Sequence, residues 1–189
     1  AFLFYRDPER TPPGDPQALI SPADGEVIYV RKIAPGAAIE STKNGCNLQV
    51  SELSDTALAS KELWPIGISM QFTDVHVNRS PIAGVVSKLV HTPGKFLSLR
   101  LDVAAKENER QTILITGPSA TVAVVQIASR LVRQIVAYVK ASESLDRGQR
   151  IGIIRFGSQV DLLVPVEDLT EVTITEGQAI TAGVTIVGR

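Results

Sequence analysis

What most constrains the fold of this chain is the way Gly and Pro break it into short β-branched runs. Residues 111–116 and 121–127 are rich in Ile, Val and Thr and are separated by Gly117-Pro118, a pattern that predicts a hairpin. Residues 25–33 alternate apolar and polar side chains up to a Pro35-Gly36 turn, and residues 64–72 and 82–90 continue the pattern to a second turn at Pro93-Gly94. Residues 47–53, 152–156 and 159–164 are further strand candidates. Residues 130–140 carry Leu131, Ile135 and Tyr138 at helical spacing, but their valines and context favour a strand. Residues 7–24 hold Pro8, Pro12, Pro13, Pro16 and Pro22 and form an extended arm, and the tail from Val172 reads as short strands joined by Gly turns. Such runs bury a face only by pairing. The expected class is therefore mainly β (α+β), as paired sheets or a partly closed barrel resembling a barrel-sandwich hybrid, with few short helices.

Composition narrows the functions. A chain of 189 residues makes a single domain with a sizeable core. Lys plus Arg number 19 against 20 Asp plus Glu, which argues against nucleic acid as a partner. Cys46 is the only cysteine and His76 and His91 the only histidines, so neither a disulfide nor a multi-ligand metal site is expected. No run is long and apolar enough to cross a bilayer. Ala1-Phe2-Leu3-Phe4-Tyr5-Arg6 reads either as the polar-side end of a hydrophobic segment or as an apolar strand or helix packing on the core.

Three places could carry chemistry. Gly157-Ser158 joins two apolar runs, and a hydroxyl next to an unshielded, bendable Gly carbonyl is what backbone self-cleavage requires. The polar cluster Asp74-Val75-His76-Val77-Asn78-Arg79-Ser80-Pro81 interrupts two apolar strands, as a pocket lining does, and His76 is the better placed of the two histidines for proton transfer. Asp24, in Pro22-Ala23-Asp24-Gly25, taken alone is a turn former. His91 reads as a surface residue ahead of a Pro-Gly turn, and Glu107-Asn108-Glu109-Arg110 as a solvated face. Arg79 or Arg110 could hold a carboxylate or phosphate, and the sequence does not choose between them. Residues 23–27 and 176–183 loosely resemble the hairpins of lipoyl- and biotinyl-carrier sandwiches, without the lysine-bearing tip that would accept a cofactor.

Six segments in fixed order carry a closer likeness. They are Phe4-Tyr5-Arg6-Asp7-Pro8-Glu9-Arg10, Pro22-Ala23-Asp24-Gly25, the string from Asp74 to Pro81, Pro93-Gly94-Lys95-Phe96, Asn108-Glu109-Arg110 and Arg155-Phe156-Gly157-Ser158. With them the chain resembles the short form of the phosphatidylserine decarboxylase family over nearly its whole length. The resemblance implies a proenzyme that cuts itself between Gly157 and Ser158 into a large piece, 1–157, and a small one, 158–189. Ser158 would become a pyruvoyl group, form a Schiff base with the serine headgroup and accept electrons as carbon dioxide leaves, with no metal and no pyridoxal phosphate. The implied substrate is phosphatidylserine, or alternatively a related serine lipid such as archaetidylserine. The implied setting is the membrane surface, at the cytoplasmic face, with a homodimer possible.

The implied catalytic residues are Ser158, His76 and Asp24, with Asp24 orienting and charge-balancing a histidine. Longer members carry a second histidine where this chain has Arg79, and a Thr where it has Gln159. His76 is therefore expected to serve both cleavage and decarboxylation, with His91 as the alternative base. A reading from a different class is a non-catalytic β-sandwich that binds a lipid or a partner, with Gly157-Ser158 as a plain strand junction.

Overall fold

The computed structural model describes residues 5–40, 47–49, 56–94, 108–128, 134–155 and 159–189. In chain order these form β1 (Leu19–Ile20), β2 (Gly25–Val30), β3 (Ala38–Glu40), β4 (Asn47–Gln49), the single-turn α1 (Thr56–Ala59), β5 (Leu63–Ser69), β6 (Val77–Arg79) and β7 (Gly84–Thr92). They continue with β8 (Arg110–Thr116), β9 (Thr121–Ile127), β10 (Ile135–Ala137), β11 (Ser144–Leu145), β12 (Arg150–Ile154), β13 (Gln159–Pro165), a 3-10 turn (Val166–Asp168), β14 (Ala179–Ile180) and β15 (Ile186–Gly188).

Eight strands make one antiparallel sheet in the order β11-β7-β8-β9-β13-β5-β2-β14, and β10-β12-β6 make a second. Small two-stranded pairs, β1-β15 and β3-β4, complete the architecture. Of the two expected architectures, paired sheets is the one formed: no sheet closes on itself among the described residues. The predicted hairpin is β8-β9, in register from Arg110↔Ile127 to Thr116↔Thr121. The two carrier-like stretches pair with each other, Ala179 opposite Glu26 in β14-β2.

Side-chain alternation sorts the core onto both faces of the large sheet. Val160, Leu162 and Val164 of β13, Val122 and Val124 of β9 and Ile66 and Ile68 of β5 face a cluster shared with Ile135, Ile151 and Ile154 of the second sheet. Leu163, Ala123, Val125 and Ile127 point the other way, toward Tyr29, Leu63 and Leu58 of α1. Every residue of β13 is buried, because the strand lies between β9 and β5 and has apolar neighbours on both faces.

Two parts of the chain differ from expectation. The motif around His76 contains a strand, β6, whose polar side chains are buried rather than looped out. Asn108, Glu109 and Arg110 are also buried, not a solvated face, because they open β8 inside the sheet. Residues 1–4, 95–107 and 156–158 lie outside the described residues, so the readings of the N-terminal apolar run, the PGKF motif beyond Gly94 and the Gly157-Ser158 bond rest on the sequence.

Candidate active site

The chain crosses from the second sheet to the large one between Arg155 and Gln159, the stretch that contains Gly157-Ser158. On the near side of that crossing the Ile154 N–H donates to the His76 carbonyl at 3.2 Å, so His76 lies beside the strand that enters it. On the far side Gln159 is buried in the centre of the large sheet, opposite Ser69 of β5 and Ile127 of β9. Its Nε2 donates to Asp161 Oδ1 at 2.8 Å and reaches the Tyr29 hydroxyl at 3.5 Å. The His76 and Gln159 side chains, one on each side of the crossing, are thus both buried and polar.

The His76 ring is fully buried, and loss of water pushes its pKa below the usual 6.5, with the Asp74 carbonyl and the Asp74 and Asp24 charges partly opposing that shift. At neutral pH the ring is neutral. Its Nδ1 donates to the Asp74 carbonyl at 2.8 Å, which leaves Nε2 as the basic nitrogen. A neutral, orientated imidazole is what a general base requires.

Asp24 acts on His76 through the backbone next to it. Its Oδ2 accepts from the Val75 N–H at 3.3 Å and from Arg10 Nη2 at 2.9 Å; its Oδ1 accepts from the Ala182 N–H at 2.8 Å and from Arg10 Nη1 at 2.5 Å. One carboxylate therefore pins the arm, the segment leading into β6 and the tail together, and four donors satisfy it.

Arg79 points into the arm. It donates to the Gly148 and Pro8 carbonyls and pairs with Asp7 at 3.2 Å. Arg150 holds Asp7 and Glu9 from the neighbouring strand. Arg147 donates to the Pro13, Asp15 and Ala18 carbonyls further along the arm. Arg6 and Arg155, both exposed, have no carboxylate partner among the described residues. The Arg6 charge is felt at the His76 ring, and Arg155 directly precedes the crossing.

The sequence that carries this site matches known proteins. Residues 1–188 fit the family model described as phosphatidylserine decarboxylase. The chain is 41% identical over its whole length to the phosphatidylserine decarboxylase proenzyme of Erythrobacter litoralis, covering 72% of that protein. It is 40% identical, again over its whole length, to the proenzyme of Desulfotalea psychrophila, covering 78%. The chain belongs to the phosphatidylserine decarboxylase family.

For a phosphatidylserine decarboxylase the structure sorts the sequence candidates. His76 and Asp24 come together near the crossing. His91 lies on β7, three strand spacings or about 14 Å from Val160 of β13, and sits 3.5 Å from Glu109 at a half-exposed position. Arg79 braces the arm instead of facing the crossing. The sequence reading missed the Arg10–Asp24 pair, which joins residues of opposite charge in two of the motifs it had singled out. It also missed Arg6 and Arg155, exposed arginines for which no carboxylate partner is found among the described residues. Among the described residues no group of three or more His, Cys, Asp or Glu could hold a metal ion.

Proposed function

We propose that this carboxy-lyase decarboxylates phosphatidylserine after cutting itself at Gly157-Ser158. The observation that carries the reading is the position of His76, a residue with a buried neutral imidazole whose backbone carbonyl accepts from the Ile154 N–H of the strand that leads to the Gly-Ser segment. His76 Nε2 takes the Ser158 hydroxyl proton, and Ser158 Oγ attacks the Gly157 carbonyl carbon. The C–N bond breaks as the acyl group moves from N to O. Elimination of the ester frees the Gly157 carboxylate and leaves dehydroalanine, which water converts to a ketone and ammonia. Asp24 keeps His76 in place through the Val75 N–H, and its charge favours the imidazolium that forms.

Next in the chain after position 158 comes the buried Gln159 amide, bonded to the Asp161 carboxylate and 3.5 Å from the Tyr29 hydroxyl, a polar neighbour that suits a keto group. The pyruvoyl group supplies an electrophilic carbonyl that binds the substrate amine and takes up the electrons released with carbon dioxide. His76 then returns a proton to the substrate carbon. Arg6 and Arg155 supply positive charge for the phosphodiester of the headgroup.

We place the protein at a membrane surface on the cytoplasmic face. Phe72, in the turn just before His76, is 55% exposed, as is Tyr5 beside Arg6, and Tyr138 is 48% exposed. Exposed aromatics next to cations suit the headgroup layer.

Mass measurement of the purified protein together with an assay for released carbon dioxide tests the proposal. The expected result is two pieces, 1–157 and 158–189, with no free amine on the smaller, and an uncut, inactive chain for Ser158→Ala. An intact wild-type chain that turns over phosphatidylserine would overturn it.

A further inference from the structure

Three carboxamides in the core have no part in the chemistry described above. Gln126 is on β9, faces the second sheet and is fully buried. Its side chain leaves its own sheet: Nε2 donates to Asn78 Oδ1 on β6 at 2.8 Å, while Oε1 accepts from Gln111 Nε2 on β8 at 2.7 Å. Asn78 Nδ2 continues the line to Met70 Sδ at 3.9 Å. Gly152 of β12 makes room for this bridge. A Cβ there would fall 2.7 Å from the Val136 carbonyl oxygen and 3.1 Å from Gln126 Nε2. Gly152 is also the register partner of Asn78, so the bridge reaches β6 over the strand that leads to the crossing.

Apolar side chains of the same size would fill this space without the cost of desolvating three amides. What the amides add is a fixed length between two sheets. Dispersion contacts tolerate sliding, whereas a hydrogen bond between buried amides holds both distance and angle. The place where that length is fixed is informative. Asn78 is two residues beyond His76, and Gln126 is the register partner of Val160, two residues beyond Ser158. The two ends of the bridge therefore sit on the strand that follows His76 and beside the strand that follows Ser158 in the chain.

We propose that Gln126, through Asn78, is a positioning residue for self-cleavage: it sets the gap between the two sheets to which β12 and β13, the strands either side of Gly157-Ser158 in the chain, belong. This inference rests on the reading that the chain cuts itself. A gap held open or allowed to drift changes the approach of His76 to the Ser158 hydroxyl, and proton transfer is steeply sensitive to such offsets.

The test separates positioning from packing. Gln126→Met keeps length and volume and removes both bonds. The triple variant Asn78→Leu, Gln111→Met, Gln126→Met replaces the whole line with apolar groups. Val124→Ala, on the same strand and facing the same core, is a control that costs stability without touching the bridge. Cleavage half-time is followed on denaturing gels for each freshly made chain, together with Tm, and kcat and KM of whatever fraction matures. The expected result is that the triple variant folds with a Tm near that of the wild type yet cleaves at least tenfold more slowly, and that its mature fraction loses kcat with KM unchanged. Gln126→Met should cleave more slowly than Val124→Ala at equal loss of Tm. Wild-type cleavage by the triple variant, or slowing in Gln126→Met no greater than in Val124→Ala, overturns the proposal alone. A wild-type chain that stays whole while active overturns the parent reading and this one with it.

Discussion

Replacing Asp24 by Asn is the perturbation for which the structure gives the firmest expectation. The carboxylate accepts from Arg10 twice, from Ala182 and from Val75, and its side chain and that of Arg10 are only 13% and 10% exposed. Each carboxylate oxygen faces one guanidinium nitrogen and one backbone N–H. Whichever way an Asn amide turns, its NH2 points at two donors, and Arg10 keeps its charge without a counter-ion. Breaking a buried pair from one side costs about 3–5 kcal/mol. For a chain of this size that lowers Tm by roughly 6–20 °C. Cleavage should slow by at least tenfold as well, because Val75, and with it His76, loses its anchor. Adding Arg10→Met removes the orphaned cation and lets the Asn oxygen take the closer Ala182 N–H, so the double variant should regain most of the Tm and part of the cleavage rate. Thermal unfolding and gel-based cleavage kinetics on the three chains decide the matter. A single variant with wild-type Tm and no cleavage, or a double variant that regains Tm with no cleavage at all, would show that the Asp24 charge works in the reaction itself and would refute the argument from anchoring.

Four further outcomes are expected. The His76 pKa lies below 6.5 in the folded chain, so the unfolded chain binds the extra proton first as pH falls; stability should drop as pH is lowered through and below 6.5, and His76→Gln should flatten that limb in pH-dependent urea melts. The same shift puts the acid limb of the cleavage rate below pH 6.5, and a midpoint at or above 6.5 would contradict a buried neutral base. Arg6→Gln should leave cleavage intact and raise KM for phosphatidylserine vesicles by about tenfold, with Arg6→Lys closer to wild type; an unchanged KM removes Arg6 from headgroup binding. After cleavage the two pieces should co-elute on gel filtration and separate only in denaturant, because four fully buried side chains of the small piece, Val160, Leu162, Leu163 and Val164, each contribute about 1.5–3 kcal/mol to holding it.

The strands were legible where local chemistry decides them. β-branched residues around Gly117-Pro118 gave β8 and β9 almost to the residue, and the Pro-rich arm has no strand before Leu19. β6 was not legible, because Val-Asn-Arg becomes a strand only when β12 supplies its ladder partners. The tail shows the same limit: residues 181–185 look like a strand by composition, yet Thr185 N–H bonds back to the Thr181 carbonyl and a turn replaces the first half. The site was half visible. His76 and Asp24 stood out through motif and chemistry. The roles of Arg79, which braces the arm, and Arg10, which anchors Asp24, depend on contacts across 72 and 14 residues of sequence that no local pattern encodes. Gln126 gave no signal at all, since a Gln among valines on a strand looks like an ordinary solvent-facing position until the second sheet covers it.

The burial of β13 in mid-sheet has a kinetic consequence. On the proposed self-cleavage, a chain cut just ahead of its central strand would have folded once as a single polymer and could never do so again. Renaturing the mature enzyme is an encounter between two molecules, slowed by dilution, whereas the Ser158→Ala precursor refolds at a rate independent of concentration. Maturation would thus act as a ratchet, trading the ability to recover from denaturation for a reactive terminus moored at the middle of the sheet.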